Sequence, residues 1–296
     1  MANLLYIIGN GFDIHHDIES RYNNFMKFVD RNQQLSIIAN DYLFESEKDW
    51  KDFEKTLGLI NPNGIYKNEE DENLDFKNED FDERDIHRFN DIISYNLELL
   101  NDQFNIEFRN WIKNVYIPSR VECDEILLQI NQKAKFLTFN YTNTLQKVYL
   151  INEDQINHLH GTVDNPIYGH GADEVIKFVG PEWSPSDEML EVIQKFFTAN
   201  KKPVYEIIAK HNDFFKSLKD IDEVYVIGHS LNDIDMPYFA EVVKNTNRSV
   251  KWIVTYRDKE DADHHRDKLT NMGLSTSNFK VIHIDKYNSL FNPLLL

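Results

Sequence analysis

The sequence predicts an α/β fold, a doubly wound and mostly parallel sheet with a large helical insertion. Two observations support this class. Six short apolar runs show little alternation with polar residues, as strands buried on both faces do, and stretches with helical spacing separate these runs. The runs lie at 4–8, 134–139, 156–160, 223–228, 250–255 and 280–284.

The first run ends in a turn with the residues Gly9, Asn10, Gly11, Phe12 and Asp13. Glycines directly after a buried strand let the backbone approach a phosphate, so we expect this turn to bind a nucleotide. The arrangement is Rossmann-like, but the third glycine of the dinucleotide-binding fingerprint is missing. An ordinary strand-to-helix turn explains the same residues.

The residues between the first and second runs contain no convincing strand. Their apolar positions recur at helical spacing, most clearly at Ile92, Ile93, Leu97, Leu100 and Phe104. We therefore predict one domain over residues 1–296, in which residues 20–130 form a helical insertion or cap. The acidic stretch at 67–85 reads as a solvated loop, and the Gly- and Pro-rich stretch at 161–185 reads as a long loop.

Composition narrows the classes of partner. The chain has 50 acidic and 32 basic residues, a net charge of −18, which disfavours nucleic acid and anionic membranes as partners. Cys123 is the only cysteine, so one chain has neither a disulfide framework nor a cysteine zinc ribbon. We find no leader and no apolar run of membrane-spanning length, and therefore expect a cytoplasmic protein.

Small polar residues follow the second run, from Thr138 through Asn140 to Thr144. They lie where ligands collect in open α/β sheets, at the carboxyl end of a predicted strand. The simpler interpretation is a helix N-cap, in which Thr142 or Asn143 satisfies the first N–H groups of the helix that follows.

Two histidines, His158 and His160, follow each other at a spacing that places them on one face of the third strand. Such a pair can bind a metal, but a catalytic metal needs a third ligand, and no recognisable spacing supplies one. A core histidine is the alternative for each. Gly161 leaves space for a ligand beside the ring of His160.

The fourth strand is followed by the segment from Gly228 to Asp235, which includes His229, Ser230 and Asp233. Its Gly-His-Ser start resembles a serine-hydrolase nucleophile elbow, but an asparagine replaces the second glycine of that motif. A backbone and hydroxyl contact to a phosphate or ribose fits these residues better. Asp13, Asp233 or Asp235 then orients a histidine or binds ribose hydroxyls.

Other polar candidates lie outside these turns. Trp50, Phe53 and Leu57 form a helical apolar stripe, so packing explains this segment, whereas Glu54 is a candidate acid or base if it points into the cleft. The histidine pairs at 15–16 and 264–265 have polar and charged neighbours, and we expect both pairs at the surface.

As a set, these motifs resemble the bacteriophage abortive-infection AbiH family. The family pattern has an Asn-Gly-Phe-Asp turn, a Trp-to-Glu helix motif, Phe-Asn-Tyr-Thr-Asn-Thr, His-x-His-Gly, and a Gly-His-Ser-Leu segment that ends in Tyr-Phe. The matching segments here are Gly9 to Asp13, Trp50 to Glu54, Phe139 to Thr144, His158 to Gly161 and Gly228 to Phe239.

AbiH-like proteins are in turn similar to sirtuin-like NAD-binding proteins, which implies a sirtuin-like fold with NAD as substrate. The resemblance assigns catalysis to Asn140 and His160, and cofactor contacts to the turns at Gly9–Asp13 and Gly228–Asp235, including Gly11 and Ser230. The chain departs from that group in having no zinc ribbon. Thr142 also stands where many NAD-cleaving relatives have an aspartate.

The resemblance implies a phage-defence protein that binds NAD or a related nucleotide and hydrolyses its nicotinamide–ribose bond without a metal. Its partners would be the nucleotide and a phage-derived trigger, and association into a homo-oligomer stays open. Two alternatives remain: a nucleotide-sensing module without catalysis, and a metal-dependent hydrolase that uses the His-x-His pair.

Overall fold

A computed structural model describes residues 3–65, 83–175 and 187–291 and has the predicted α/β fold. The strands are β1 Leu4–Ile8, β2 Lys135–Thr138, β3 Ile156–His158, β4 Gly161–Thr162, β5 Asn165–Pro166, β6 Glu223–Ile227, β7 Lys251–Tyr256 and β8 Phe279–His283. The strands of the main sheet are all parallel and run in the order β3-β2-β1-β6-β7-β8. Strands β4 and β5, which follow β3 in the chain, form a separate antiparallel hairpin.

Most of the remaining described residues are helical. The helices are α1 Asn10–His15, α2 Tyr22–Val29, α3 Gln33–Tyr42, α4 Glu47–Lys51, α5 Phe53–Leu57, α6 Glu83–Asn114, α7 Thr144–Tyr149, α8 Asp187–Ala199, α9 Val204–Lys210, α10 Asn212–Lys216, α11 Met236–Asn245 and α12 Lys259–Asn271. Among the described residues, no helix is both long and apolar enough to cross a membrane.

The six predicted strands are all present, and each runs to within two residues of its predicted bounds. Between β1 and β2 the described residues form helices and loops without a strand, as the helical spacing predicts. Most of the acidic stretch, residues 67–82, lies outside the described residues. The predicted loop at 161–185 contains the β4–β5 hairpin in its described part, while residues 176–185 lie outside it.

The chain divides into two compact units. The first contains Met1–Ser20, Ile112–Ile167 and Pro203–Leu296, and the second contains Arg21–Trp111 and Tyr168–Lys202. The sheet belongs to the first unit. The core of the second unit is a cluster of aromatic rings in which Phe44 stacks on Trp50 with centroids 4.1 Å apart. Phe53 lies in the same cluster, so the apolar stripe on α4 and α5 is core packing.

Both faces of the sheet in the first unit are covered, which explains why its strands read as unbroken apolar runs. Leu5 and Ile7 on β1 face one core, together with residues of α11. Tyr6 and Ile8 face the other core, together with residues of α7. The loops after the strands therefore leave the sheet between helices of its two faces.

Strand order reverses between β1 and β6, which are neighbours at the centre of the sheet. In β1, Ile8 pairs with Thr138 on one side and with Ile227 on the other. Thr138 in turn pairs with His158. The carboxyl ends of β1, β2, β3 and β6 are thus level, and the loops that follow them meet at the switch point where open α/β sheets bind ligands.

Candidate functional site

The turns after β1 and β6 pack directly on each other. The N–H of Gly9 donates to the carbonyl of Ile227 at 3.0 Å, and the N–H of Gly11 donates to the carbonyl of Gly228 at 2.7 Å. Gly228 has a φ of +66°, and a Cβ there would lie 2.1 Å from the nitrogen of Phe12. These glycines therefore make a close loop contact, and the N–H groups of Gly9 and Gly11 already have protein acceptors.

Asp13 is buried beside the loop that follows β2. The hydroxyl of Thr142 donates to its Oδ2 at 2.6 Å, and the hydroxyl of Thr144 donates to that of Thr142 at 3.1 Å. Burial raises the pKa of Asp13 to about 6, although the side chains of Thr142, Thr144 and Asn140 lower it. Asp13 is thus poised to exchange a proton near neutral pH.

The N-cap interpretation of this loop does not account for Thr142. Asn143 occupies the N-cap position of α7, and its side chain makes no capping hydrogen bond. The Thr142 hydroxyl is directed to Asp13. The polar residues after β2 therefore build a contact with the β1 turn.

Asn140 lies at the start of the same loop, with 6% of its surface exposed. Its backbone N–H donates to the hydroxyl of Thr138 at 3.1 Å. Neither atom of its side-chain amide makes a hydrogen bond within the part of the chain that the structure describes, although the amide does favour the charged form of Asp13. Burying an unsatisfied polar group costs about 1–3 kcal/mol, so this amide is available to a polar ligand.

Asp235 lies between two histidines. Its Oδ1 is 3.3 Å from Nε2 of His160, and its Oδ2 is 3.5 Å from Nε2 of His229. The N–H of Leu231 donates to Nδ1 of His229 at 2.9 Å, so the ring hydrogen of a neutral His229 is on Nε2, facing Asp235. All three side chains are at least nine-tenths buried. The Asp235 carboxylate therefore faces both imidazole rings.

Aromatic rings cover this His-Asp-His group. The ring of Phe139 lies edge-on to His229 and His160, with centroids 4.3 Å and 5.0 Å apart. Tyr238 on α11 contacts His160 at 5.8 Å. Apolar cover excludes water and strengthens the electrostatic interaction between the carboxylate and the imidazoles.

The remaining predicted cofactor contacts occupy different environments. Asn10 is exposed and exchanges hydrogen bonds with Ser20. Phe12 is fully buried against His16, so its ring belongs to the core. Ser230 and Asp233 are exposed at the rim of the β6 loop, where Lys268 forms an ion pair with Asp233.

His158 and His160 have different carboxylate neighbours. Nε2 of His158 lies 3.3 Å from Glu153 and 3.3 Å from the amide nitrogen of Gln146, and burial lowers the pKa of His158. Over the described ranges, no group of three or more His, Cys, Asp or Glu residues is arranged to hold a metal ion.

The turn after β6 also differs from a nucleophile elbow. An elbow places its serine on a strained strand-to-helix turn, whereas here the positive φ angles belong to Gly228 and Leu231. His229 is directed to Asp235 and Ser230 is exposed. The hairpin itself requires Gly161, because a Cβ there would lie 2.0 Å from the carbonyl oxygen of Asn165. That Gly161 leaves space for a ligand beside His160 stays a prediction.

Glu54 lies in the second unit, where its carboxylate pairs with Lys202 at 2.9 Å. The Lys202 side chain has no exposed surface, and Glu54 is itself mostly buried. A buried ammonium requires such a counter-charge, so this contact is a structural reason for an acid at position 54. The role of Glu54 as an acid or base stays a prediction.

Two histidines predicted at the surface are buried. Nδ1 of His16 donates to the carbonyl of Phe12, Nε2 accepts from the hydroxyl of Tyr149, and burial lowers the pKa of His16 to about 4. His265 is 3% exposed and lies near the backbone of Ser230. His265 shares the buried face of α12 with Ala262 and Leu269, a helical spacing that could have identified it from sequence.

His265 gives a stability prediction, because neither ring nitrogen makes a hydrogen bond to another described residue. Burial lowers its pKa to about 4, so the unfolded chain binds a proton more readily and stability falls as pH drops from about 6.5 toward 4. We expect His265→Leu to unfold at equal or higher urea concentration at pH 7, and to lose less stability at pH 5 than the wild type. A steeper acid dependence in the variant would contradict this.

A family model described as Bacteriophage abortive infection AbiH matches residues 5–256, most of the 296-residue chain. A search of curated proteins found no match. Apart from Leu4, the matched range includes both central strands, and it includes all four loops that meet at the switch point.

Proposed function

The chain belongs to the bacteriophage abortive-infection AbiH family, and we propose that it binds NAD or a related nucleotide and hydrolyses the nicotinamide–ribose bond. The observation that carries the proposal is the buried amide of Asn140, which has no hydrogen-bond partner among the described residues. Phe139, which precedes Asn140 in the chain, contacts His160 and His229. Thr142, two residues after Asn140, donates a hydrogen bond to Asp13. In this proposal, an amide, an imidazole and a carboxylate serve one ligand.

These groups suit the cleavage of an N-glycosidic bond. Departure of nicotinamide leaves positive charge on the ribose, which nearby oxygen dipoles and carboxylates stabilise. Asn140 Oδ1 can orient the ribose or a water molecule. His160, whose Nε2 lies 3.3 Å from the Asp235 carboxylate, can accept a proton from water or a ribose hydroxyl. Nicotinamide leaves as a neutral molecule, so the leaving group needs no acid.

The topology supports a nucleotide as the ligand, since the candidate residues lie at the reversal of strand order. We propose that the exposed Ser230 contacts phosphate or ribose at the rim. Gly9 and Gly11 then act through the shape of the turn, because their N–H groups already have acceptors. Membership of the AbiH family implies a role in abortive infection. Consumption of cellular NAD would end phage growth in an infected cell.

The direct test measures nicotinamide release from NAD by the purified full-length chain. We expect release by the wild type and a loss of roughly 100-fold or more in Asn140→Ala and His160→Ala. Asn143→Ala and His264→Ala are matched controls, because both residues are exposed, and they should keep the wild-type rate. Equal turnover in all five proteins would remove Asn140 and His160 from the proposed chemistry.

The same preparation separates the two alternatives. Thermal stabilisation by NAD without release of nicotinamide would favour a nucleotide-sensing module, in which the same loops bind but do not react. Activity lost to a chelator and restored by a divalent ion would favour a metal-dependent hydrolase. We expect neither, since Asp13 and His160 supply proton acceptors without a metal.

A further inference from the structure

We infer that Asp13 is a further catalytic residue, whose second carboxylate oxygen takes the proton of the water that attacks the ribose. The inference rests on the proposed function and deepens it. Oδ2 of Asp13 is held by Thr142 at 2.6 Å, whereas Oδ1 is buried and makes no hydrogen bond to any other described residue. One oxygen thus orients the carboxylate and leaves the other for a ligand.

Folding alone does not require a carboxylate at position 13. An asparagine has nearly the same shape, and its side-chain oxygen could accept the hydrogen bond from Thr142 equally well. It would also avoid the cost of burying a charge. A group that is expensive to bury and only half satisfied is typical of a functional site.

The side-chain amide of Asn140, close to Asp13, also supports a bound water molecule. The side-chain amide of Asn140 is buried, and neither its oxygen nor its nitrogen makes a hydrogen bond to another described residue. The amide is close enough to Asp13 to favour the ionised form of the carboxyl group. A water molecule between Asp13 Oδ1 and the Asn140 amide could hydrogen-bond to both side chains and so satisfy these buried polar atoms. The attacking oxygen would then be oriented before the glycosidic bond breaks.

The reaction balances without an additional reactant. The water oxygen bonds to C1′ of the ribose while its proton passes to Asp13, and the C1′–N bond breaks with its electron pair going to nicotinamide. The ring nitrogen thereby loses its positive charge. Asp13 then releases the proton to solvent, and the products are nicotinamide, ADP-ribose and one proton. His160 is left to position a ribose hydroxyl.

Burial raises the pKa of Asp13 to about 6, although its hydroxyl and amide neighbours act to lower it. Asp13 is therefore mostly ionised at pH 7. Other titratable groups lie on the elements around it: His15 and His16 on α1, Tyr149 on α7, His158 on β3 and His229 after β6. His16 bonds to Phe12 and Tyr149, and His229 faces Asp235. Removing the Thr142 hydroxyl is therefore the most direct way to change the pKa of Asp13 by mutation.

The test measures nicotinamide release between pH 5 and pH 8. For the wild type we expect the rate to fall as pH drops through about 6. Asp13→Asn should lose roughly 100-fold or more of the rate and retain thermal stabilisation by ADP-ribose. Thr142→Val removes a hydrogen bond to the carboxylate and should move the acid midpoint to higher pH, and Thr142→Ser should restore it. The exposed Asp17→Asn is the matched control and should resemble the wild type.

Two results would overturn the inference while the proposed function stands. One is an active wild type with Asp13→Asn at a similar rate and pH dependence. The other is a Thr142→Val variant whose rate falls at acid pH with the same midpoint as the wild type. The fall in rate would then report the protonation of another group, such as His160. A wild type that releases no nicotinamide would instead overturn the proposed function, and the inference with it.

Discussion

Gly228→Ala should destabilise the protein by roughly 2 to 5 kcal/mol, because two costs coincide at this position. A left-handed conformation costs an L-residue about 1–2 kcal/mol, and Gly228 has a φ of +66°. Overpacking costs about 1–3 kcal/mol more, since the new Cβ would lie 2.1 Å from the nitrogen of Phe12. The neighbour is backbone, so the two central loops would have to separate.

Gly273→Ala is the matched control for this prediction. Gly273 has a φ of +85°, but a Cβ there would meet no atom within 4 Å. We therefore expect only the conformational cost, about 1–2 kcal/mol. Equilibrium urea unfolding of both variants measures the difference. Equal losses in the two variants would show that the contact between the β1 and β6 turns does not limit stability.

The same loop contact gives Gly9 and Gly11 a role other than phosphate binding. The sequence places Gly9 and Gly11 after a strand and suggests phosphate binding, whereas their N–H groups bond to Ile227 and Gly228. The bonding partners are more than 200 residues away in the chain, so no local pattern could reveal them. The strands themselves were predictable, because burial on both faces leaves continuous apolar runs.

Strand order was not predictable in the same way. Apolar runs identify β1 as a buried strand, but its position beside β6 depends on pairing between distant segments. The site residues show the same limit. His160 and Asp235 each stand out at a predicted strand end, yet only the folded chain shows that they are 3.3 Å apart.

Two aspartates of one segment illustrate what a motif leaves undecided. Asp233 and Asp235 are equivalent candidates in the sequence, and both lie in a single 3-10 turn. In the fold, the side chain of Asp233 is 91% exposed beside Lys268, whereas that of Asp235 is 10% exposed between two histidines. The turn directs one carboxylate to solvent and the other inward, and this choice depends on packing around α11.

Asp13→Asn should increase stability at alkaline pH, which is the opposite of the usual effect of changing a buried residue. The folded protein raises the pKa of Asp13 from 3.8 to about 6 through burial. The folded state therefore binds this proton more tightly than the unfolded chain does. Stability from the protonated carboxyl is complete below pH 3.8 and is lost as pH rises through 6.

One pKa unit corresponds to about 1.36 kcal/mol, so ionised Asp13 costs up to about 3 kcal/mol at pH 8. Asparagine does not ionise, and we expect the variant to exceed the wild type by up to that amount at pH 8, with the difference disappearing near pH 4. Urea unfolding at the two pH values measures it, and the exposed Asp17→Asn should show little change at either. A variant less stable than the wild type at pH 8 would mean that the carboxylate has partners that repay its burial. A stabilised variant would show that a charge at position 13 is retained at the expense of stability, as is expected of residues kept for activity.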